Sequence, residues 1–257
     1  MGPVRAELMW QSVVDATEIA GTGTDGLDVL DLGGGTGGDA VRLALLGHRV
    51  TVVDPSPDAL ASLQRRAVDA DLGEAVRGIQ GDTADLLDHV GPQSFDLVIC
   101  HGVLEYVDDP AEALRAVATV LRPGGHASVV VAGRLAAITA RALAGDFVTA
   151  QTLLTTTAAA WDVRALGPRR FSLDELQDLL ATHGFASVAT NGLRVFADLV
   201  PSAIVDGEPG ARDALYALER LTRTSQDFTA VSAGLQSIAR LDLNSAPSDP
   251  GGKHAAL

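Results

Sequence analysis

A chain of 257 residues has room for one or two domains. Apolar residues make up 47% of it and charged residues 20%, enough for a packed core, so disorder along its whole length is excluded. The 33 acidic residues outweigh the 19 basic ones, and the net charge of −14 argues against a basic nucleic-acid footprint over the whole surface. A local arginine patch stays open, because Lys253 is the only lysine and the other basic residues are arginines.

No apolar run reaches the ~18 residues needed to span a bilayer. The first residues, Met1 to Glu7, hold no signal-peptide core, and Ala6 stands where a myristoylation signal needs Ser or Thr. Cys100 is the only cysteine, which excludes an internal disulfide framework and a cysteine metal cluster. The expectation is a cytoplasmic protein with no membrane contact and no metal.

In chain order, residues 4–20 predict an amphipathic helix with Leu8, Val13, Val14 and Ile19 apolar. The Gly21-Thr22-Gly23-Thr24-Asp25-Gly26 loop ends it. Short apolar runs then alternate with helical patterns, which predicts an α/β fold with a mostly parallel sheet flanked by helices. The predicted strands are Leu27–Leu32, Arg49–Asp54, Ala75–Gln80, Phe95–Cys100 and Gly125–Ala132. Ser56 before Pro57 marks one helix start. Asp109-Pro110-Ala111-Glu112 resembles a capping box ahead of the stripe Leu114, Val117, Ala118, Leu121, which Pro123-Gly124-Gly125 stops. Ser172-Leu173-Asp174-Glu175 is a second box, with Phe171 and Leu176 placed as a hydrophobic staple. Residues 133–170 predict a helical cap insertion. A helix at 173–182, a strand near 185–200, a helix near 209–222 and a last strand near 234–241 follow. The expectation is a single domain over 1–243 and a disordered tail at 244–257.

The chemistry-bearing motif is Asp31-Leu32-Gly33-Gly34-Gly35-Thr36-Gly37-Gly38, placed between the first strand and a helix. Glycine lets backbone approach a ligand closely, because no Cβ intervenes. Asp54 closes the second strand, where an acid can accept hydrogen bonds from a ribose diol. The loop alone is ambiguous. Gly33, Gly35 and Gly38 satisfy the dinucleotide fingerprint, which keeps an NAD-dependent oxidoreductase open. Asp31, Gly33, Gly35 and Gly37 satisfy the D-x-G-x-G-x-G pattern, which resembles the first motif of class I S-adenosylmethionine methyltransferases.

Later segments resemble that class in the same order. They are Asp54-Pro55-Ser56-Pro57, Gly81-Asp82-Thr83-Ala84, Phe95-Asp96-Leu97-Val98-Ile99-Cys100-His101 and Leu121-Arg122-Pro123-Gly124-Gly125. His101-Gly102-Val103-Leu104-Glu105-Tyr106-Val107-Asp108-Asp109-Pro110 resembles, more narrowly, the tRNA 5-carboxymethoxyuridine methyltransferase family. Leu46-Gly47-His48-Arg49-Val50, Ala144-Gly145-Asp146-Phe147, Gly192-Leu193-Arg194-Val195-Phe196 and Arg5 ahead of Trp10-Gln11 fit the same family. The family's His-Asp-Tyr after the late strand is Ala197-Asp198-Leu199 here, and its basic insertion is reduced to Gly167-Pro168-Arg169-Arg170-Phe171.

The resemblance implies a Rossmann-like fold of seven strands and S-adenosyl-L-methionine as cofactor. It implies that Arg5 binds the methionine carboxylate and Asp31 the amino group. Gly33, Gly34 and Gly35 would contact the cofactor backbone, Asp54 the ribose, Asp82, Thr83 and Ala84 the adenine, and His101 would lie beside the cofactor. On the acceptor side it places Arg194, with Glu105 and Tyr106 at the substrate mouth. The implied acceptor is a carboxylate, either 5-carboxymethoxyuridine in tRNA or a small-molecule carboxylate. Such a nucleophile is ionised near neutral pH and needs no general base. A small-molecule O-methyltransferase and a non-catalytic module that binds S-adenosylmethionine are the alternatives.

Overall fold

The computed structural model describes residues 3–21 and 26–243. The predicted tail at 244–257 and most of the predicted loop at 21–26 lie outside these residues. The elements are α1 (Pro3–Ala20), β1 (Asp28–Leu32), α2 (Gly38–Leu45), β2 (Arg49–Asp54), α3 (Pro57–Asp69), β3 (Val76–Gln80), α4 (Leu86–His89), β4 (Phe95–His101), α5 (Pro110–Val120) and β5 (Leu121–Ala132). There follow α6 (Arg134–Leu143), α7 (Phe147–Thr155), a 3-10 turn (Ala158–Ala160), α8 (Val163–Leu166), α9 (Leu173–Thr182), β6 (Phe185–Leu193), α10 (Ser202–Gly207), α11 (Ala211–Thr222), α12 (Gln226–Thr229) and β7 (Gly234–Leu241).

The seven strands form one sheet in the order β3-β2-β1-β4-β5-β7-β6. Only β7 runs against its neighbours, pairing antiparallel with both β5 and β6. A buried strand alternates its side chains between two covered faces. In β4, Leu97 and Ile99 enter the core under α1, α2 and α3, with Trp10, Val13, Leu43 and Leu63. Val98 and Cys100 enter the opposite core with Leu86, Leu114, Val117, Leu176 and Leu180. Burial pushes the Cys100 thiol up to about 12, so it is an inert packing group.

The helix-start signals correspond to real caps. Ser56 Oγ accepts from the Ala59 N–H at 3.2 Å. Asp109 accepts from the N–H groups of Ala111 and Glu112, while the Glu112 carboxylate turns to Arg115 at 3.6 Å rather than completing a reciprocal box. Ser172 and Glu175 do form the reciprocal box, and Phe171 and Leu176 are both buried in one core cluster.

Two expectations need correction. Pro123-Gly124-Gly125 does not separate α5 from β5: the helix ends at Val120 and the strand already starts at Leu121. Proline disfavours helix at the residue before it. The turn is absorbed as an irregularity in the β4–β5 register, with Gly124 at φ +77°. The strand near 185–200 stops at Leu193, because Arg194 takes φ +59°, outside strand geometry. Arg194 therefore stands on a turn after β6 and not on a strand. The short helices α10 and α12 escaped the sequence reading, since one turn and a half gives too few residues for a periodic stripe.

Candidate functional site

The order of strands reverses between β1 and β4, since the chain adds β2 and β3 on one side and β4 on the other. Ligands of open α/β sheets bind at such a switch point, beyond the carboxyl ends of the strands. Gly33 follows β1 and Gly102 follows β4, and two clefts open there.

The glycine loop has the shape its composition requires. Gly33, Gly35 and Gly37 sit at φ +73°, +56° and +71°, a region L side chains rarely adopt. A Cβ on Gly34 would overlap the Asp31 carboxylate, and one on Gly37 would overlap Leu63. Asp54 fastens the loop to β2: Oδ2 accepts from the Gly35 N–H and Oδ1 from the Ser56 N–H, both at 2.9 Å. A carboxylate has about four lone-pair sites, so Asp54 keeps acceptor capacity for a ligand.

The first cleft, of about 530 Å³, is lined by Gly33, Asp54, Asp82, Thr83, Ala84 and Tyr106, among others. Asp82 turns inward on its own loop, accepting from the Ala84 N–H at 2.7 Å. Tyr106 is 71% exposed at the rim. The second cleft, of about 580 Å³, is lined by Met9, Asp31, Gly34, Asp39, Arg42 and His101, among others. Asp31 is buried there, and burial, aided by Asp39 and Asp54, raises its carboxyl to about 7. Arg42 stacks over the Trp10 ring at 3.7 Å, which fixes a cation in this cleft that sequence reading missed. Its only sequence signal is a position one turn into the helix behind the glycine loop.

Arg5 is placed differently. Its Nε pairs with Asp198 at 2.7 Å, and its helix neighbours Ala6 and Met9, not Arg5 itself, line the second cleft. His101, at the end of β4, lines that cleft, and its Nε2 lies 2.8 Å from Ser128 Oγ.

A third cavity, of about 620 Å³, lies beyond the end of β5. Its walls are mostly apolar, with Phe196, Leu199, Phe228 and Val231, and Arg170 and Arg194 supply its cationic groups. The structure thus separates the acceptor-side candidates: Arg194 lines this cavity and Tyr106 the first cleft. Glu105 is buried near the end of β5, where Oε1 accepts from the Ala132 N–H at 2.8 Å and Oε2 has no hydrogen-bond partner among the described residues. Burial raises its carboxyl, while that hydrogen bond and the charges of Arg170 and Arg194 oppose the rise.

The Arg194 turn is held by a residue that no local pattern singles out. Glu219, on α11 and 1% exposed, accepts from the N–H groups of Val195, Phe196 and Ala197 at 2.9, 2.9 and 2.7 Å. Glu219→Gln turns an amide donor toward those donors. It is expected to cost about 1–3 kcal/mol, the range for a lost charged hydrogen bond, read as a lower urea midpoint at unchanged slope.

Comparison with known proteins agrees with this geometry. Residues 30–129 match the family described as "Methyltransferase domain". The matched segment runs from β1 into β5, the part of the sheet that carries the glycine loop and the two clefts beside it. The chain is 31% identical over 146 residues to the tRNA 5-carboxymethoxyuridine methyltransferase of Escherichia coli K12, covering 57% of this chain and 55% of that one. It is 40% identical over 100 residues to the ubiquinone biosynthesis O-methyltransferase of Albidiferax ferrireducens, covering 39% of each. The chain thus spans about half or less of the length of these curated relatives. Among solved structures, an S-adenosylmethionine dependent methyltransferase from Mesorhizobium loti superposes with TM-score 0.59 at 23% identity, over 91% of this chain and 99% of that one. Among the described residues, no helix is long and apolar enough to cross a membrane.

Proposed function

We propose that the chain is an S-adenosylmethionine-dependent methyltransferase that esterifies a small carboxylic acid with an apolar body. The observation that carries the acceptor class is the third cavity, in which Arg170 and Arg194 stand among aromatic and aliphatic walls and the one carboxylate in the lining, Asp198, is paired with Arg5. An arginine fork grips both oxygens of a carboxylate, and apolar walls take the rest of the molecule.

The cofactor's fit rests on Asp31. A buried carboxylate whose side chain has no hydrogen-bond partner among the described residues, pressed against a glycine and beside Asp39 and Asp54, suits a cationic ligand group such as a methionyl ammonium. In this reading Asp31 takes the ammonium and Gly33, Gly34 and Gly35 admit the ligand backbone. Asp54 takes the ribose diol, and Asp82, Thr83 and Ala84 border the adenine. Arg42 stands where the methionine carboxylate needs a cation, and Arg5 can join it only by exchanging Asp198 for that carboxylate. The bound cofactor supplies an electrophilic methyl group. Arg194 orients the acceptor, and the apolar walls leave water few partners beside it.

The second reading is methylation of 5-carboxymethoxyuridine in tRNA, favoured by the name of the Escherichia coli relative and opposed by the net charge of −14. The test is methyl transfer from labelled cofactor to a panel of aromatic and alkyl carboxylic acids, and to tRNA bearing that nucleoside. Alkali-labile label in the small acids is expected. Label confined to tRNA selects the second reading, and alkali-stable label contradicts a carboxylate acceptor.

A further inference from the structure

We infer that His101 is held as a neutral hydrogen-bond donor, with its proton on Nδ1, and that Ser128 and Gln236 are positioning residues that fix this state. Strand alternation places Ile99, His101, Ser128, Gln236 and Ile238 on one face of the sheet, the face covered by α1. There the polar side chains form a closed network.

Gln236 is fully buried and uses every bonding position it has. Its Oε1 accepts from Asn191 Nδ2 at 3.0 Å and from Arg223 at 3.2 Å. Its Nε2 donates to the Ser12 carbonyl of α1 at 2.8 Å and to Ser128 Oγ at 3.0 Å. The reverse orientation of the amide is excluded. It would set the amide oxygen against the Ser12 carbonyl and the amide nitrogen against the Arg223 guanidinium, whose own charge is paired with Asp15.

With Gln236 fixed, the direction of the next bond follows. Ser128 is fully buried, and its hydroxyl has two partners among the described residues, Gln236 and His101 Nε2. Gln236 donates to it, so the hydroxyl hydrogen has one place to go, which is Nε2. A proton on Nε2, in the other neutral tautomer or in the imidazolium, would leave that buried hydroxyl hydrogen unpaired, at the desolvation cost of an unmade bond. The neutral imidazole therefore carries its hydrogen on Nδ1, which has no partner among the described residues in a side chain that lines the second cleft. Burial lowers the His101 pKa to about 3, in the same direction.

His101 thus offers an N–H to a ligand and has no free lone pair with which to collect an acceptor's proton. Taken with the proposed methyl transfer, on which this step rests, the oxygen nucleophile has to arrive already ionised. The network also ties α1 to the cleft through Ser12 and Asp15.

The test is long-range 15N–1H correlation NMR on the ligand-free protein at neutral pH, with the His101 signals assigned by their loss in His101→Gln. Nε2 is expected to be the unprotonated nitrogen, coupled to both ring C–H protons, with Nδ1 coupled to one. In Ser128→Ala this single pattern should give way to an Nε2-protonated or mixed one. A wild-type ring protonated on Nε2, or a Ser128→Ala ring unchanged from wild type, overturns the inference, and the wild-type spectrum decides it even if the variant does not fold. Failure of the methyltransferase reading shows elsewhere, as absence of transfer across the acceptor panel with the ring pattern intact.

Discussion

Arg194→Ala is expected to lower kcat/KM for the carboxylate acceptor by about 10- to 200-fold, the range for losing a charge-assisted bond of ~1.5–3 kcal/mol. Arg194 Nε is buried and has no hydrogen-bond partner among the described residues. Its nearest anion, Asp198, is 3.9 Å away, beyond hydrogen-bond reach and already paired with Arg5. The guanidinium is thus held in the cavity by its backbone turn and keeps its strongest donors for a ligand. Cofactor affinity should change little, since Arg194 lines the third cavity and not the two clefts beside the glycine loop. Arg194→Lys should recover only part of the rate, because a point charge does not reproduce the fork. Steady-state kinetics with calorimetry on the same variants separates the two effects. Full activity in Arg194→Ala would remove this residue from the acceptor site.

The second large effect is a pH dependence of cofactor binding. The Asp31 carboxyl is raised to about 7 by burial and by its acidic neighbours, against an ordinary value of 3.8. The sign follows by linkage. A carboxyl raised in the folded state favours folding most below pH 3.8, and that contribution is lost as the pH climbs through 7. A cation held by the ionised form works the other way. Below pH 7 the free protein must release a proton to bind it, so affinity falls by about tenfold per pH unit. Adenosylhomocysteine should therefore bind about ten times more weakly at pH 6 than the limiting affinity it reaches above neutrality. Asp31→Asn should bind more weakly throughout and flatten the profile between pH 5.5 and 7.5. A wild-type profile that is level over this window would show that Asp31 does not face the bound cation.

The comparison of sequence with structure divides along the distance in the chain over which a signal acts. The glycine loop, the strand ends at Asp54 and His101 and the caps at Ser56, Asp109 and Ser172 were legible, because each is a local pattern with a local cause. The features that hold the third cavity and the His101 network are long-range. Glu219 looks like any acid on an amphipathic helix until the fold brings it under the Arg194 turn, 22 to 24 residues away. Gln236 sits in an apolar strand, and its partners Ser12 and Ser128 are 224 and 108 residues distant. The left-handed backbone at Arg194 carries no glycine to announce it. Arg5 fits the motif that suggested it, yet its partner here is Asp198, the residue of Ala197-Asp198-Leu199 that keeps the family's Asp.

In the proposed function, the crevice between β1 and β4 holds S-adenosylmethionine. Titration calorimetry of the purified chain with adenosylhomocysteine at pH 7.5, with NAD as the comparison ligand, tests it directly. One adenosylhomocysteine per chain is expected, bound at least tenfold more weakly by Asp31→Asn (~1.4 kcal/mol or more), with no heat from NAD. Binding of NAD in place of adenosylhomocysteine, or adenosylhomocysteine binding untouched by Asp31→Asn, would contradict it.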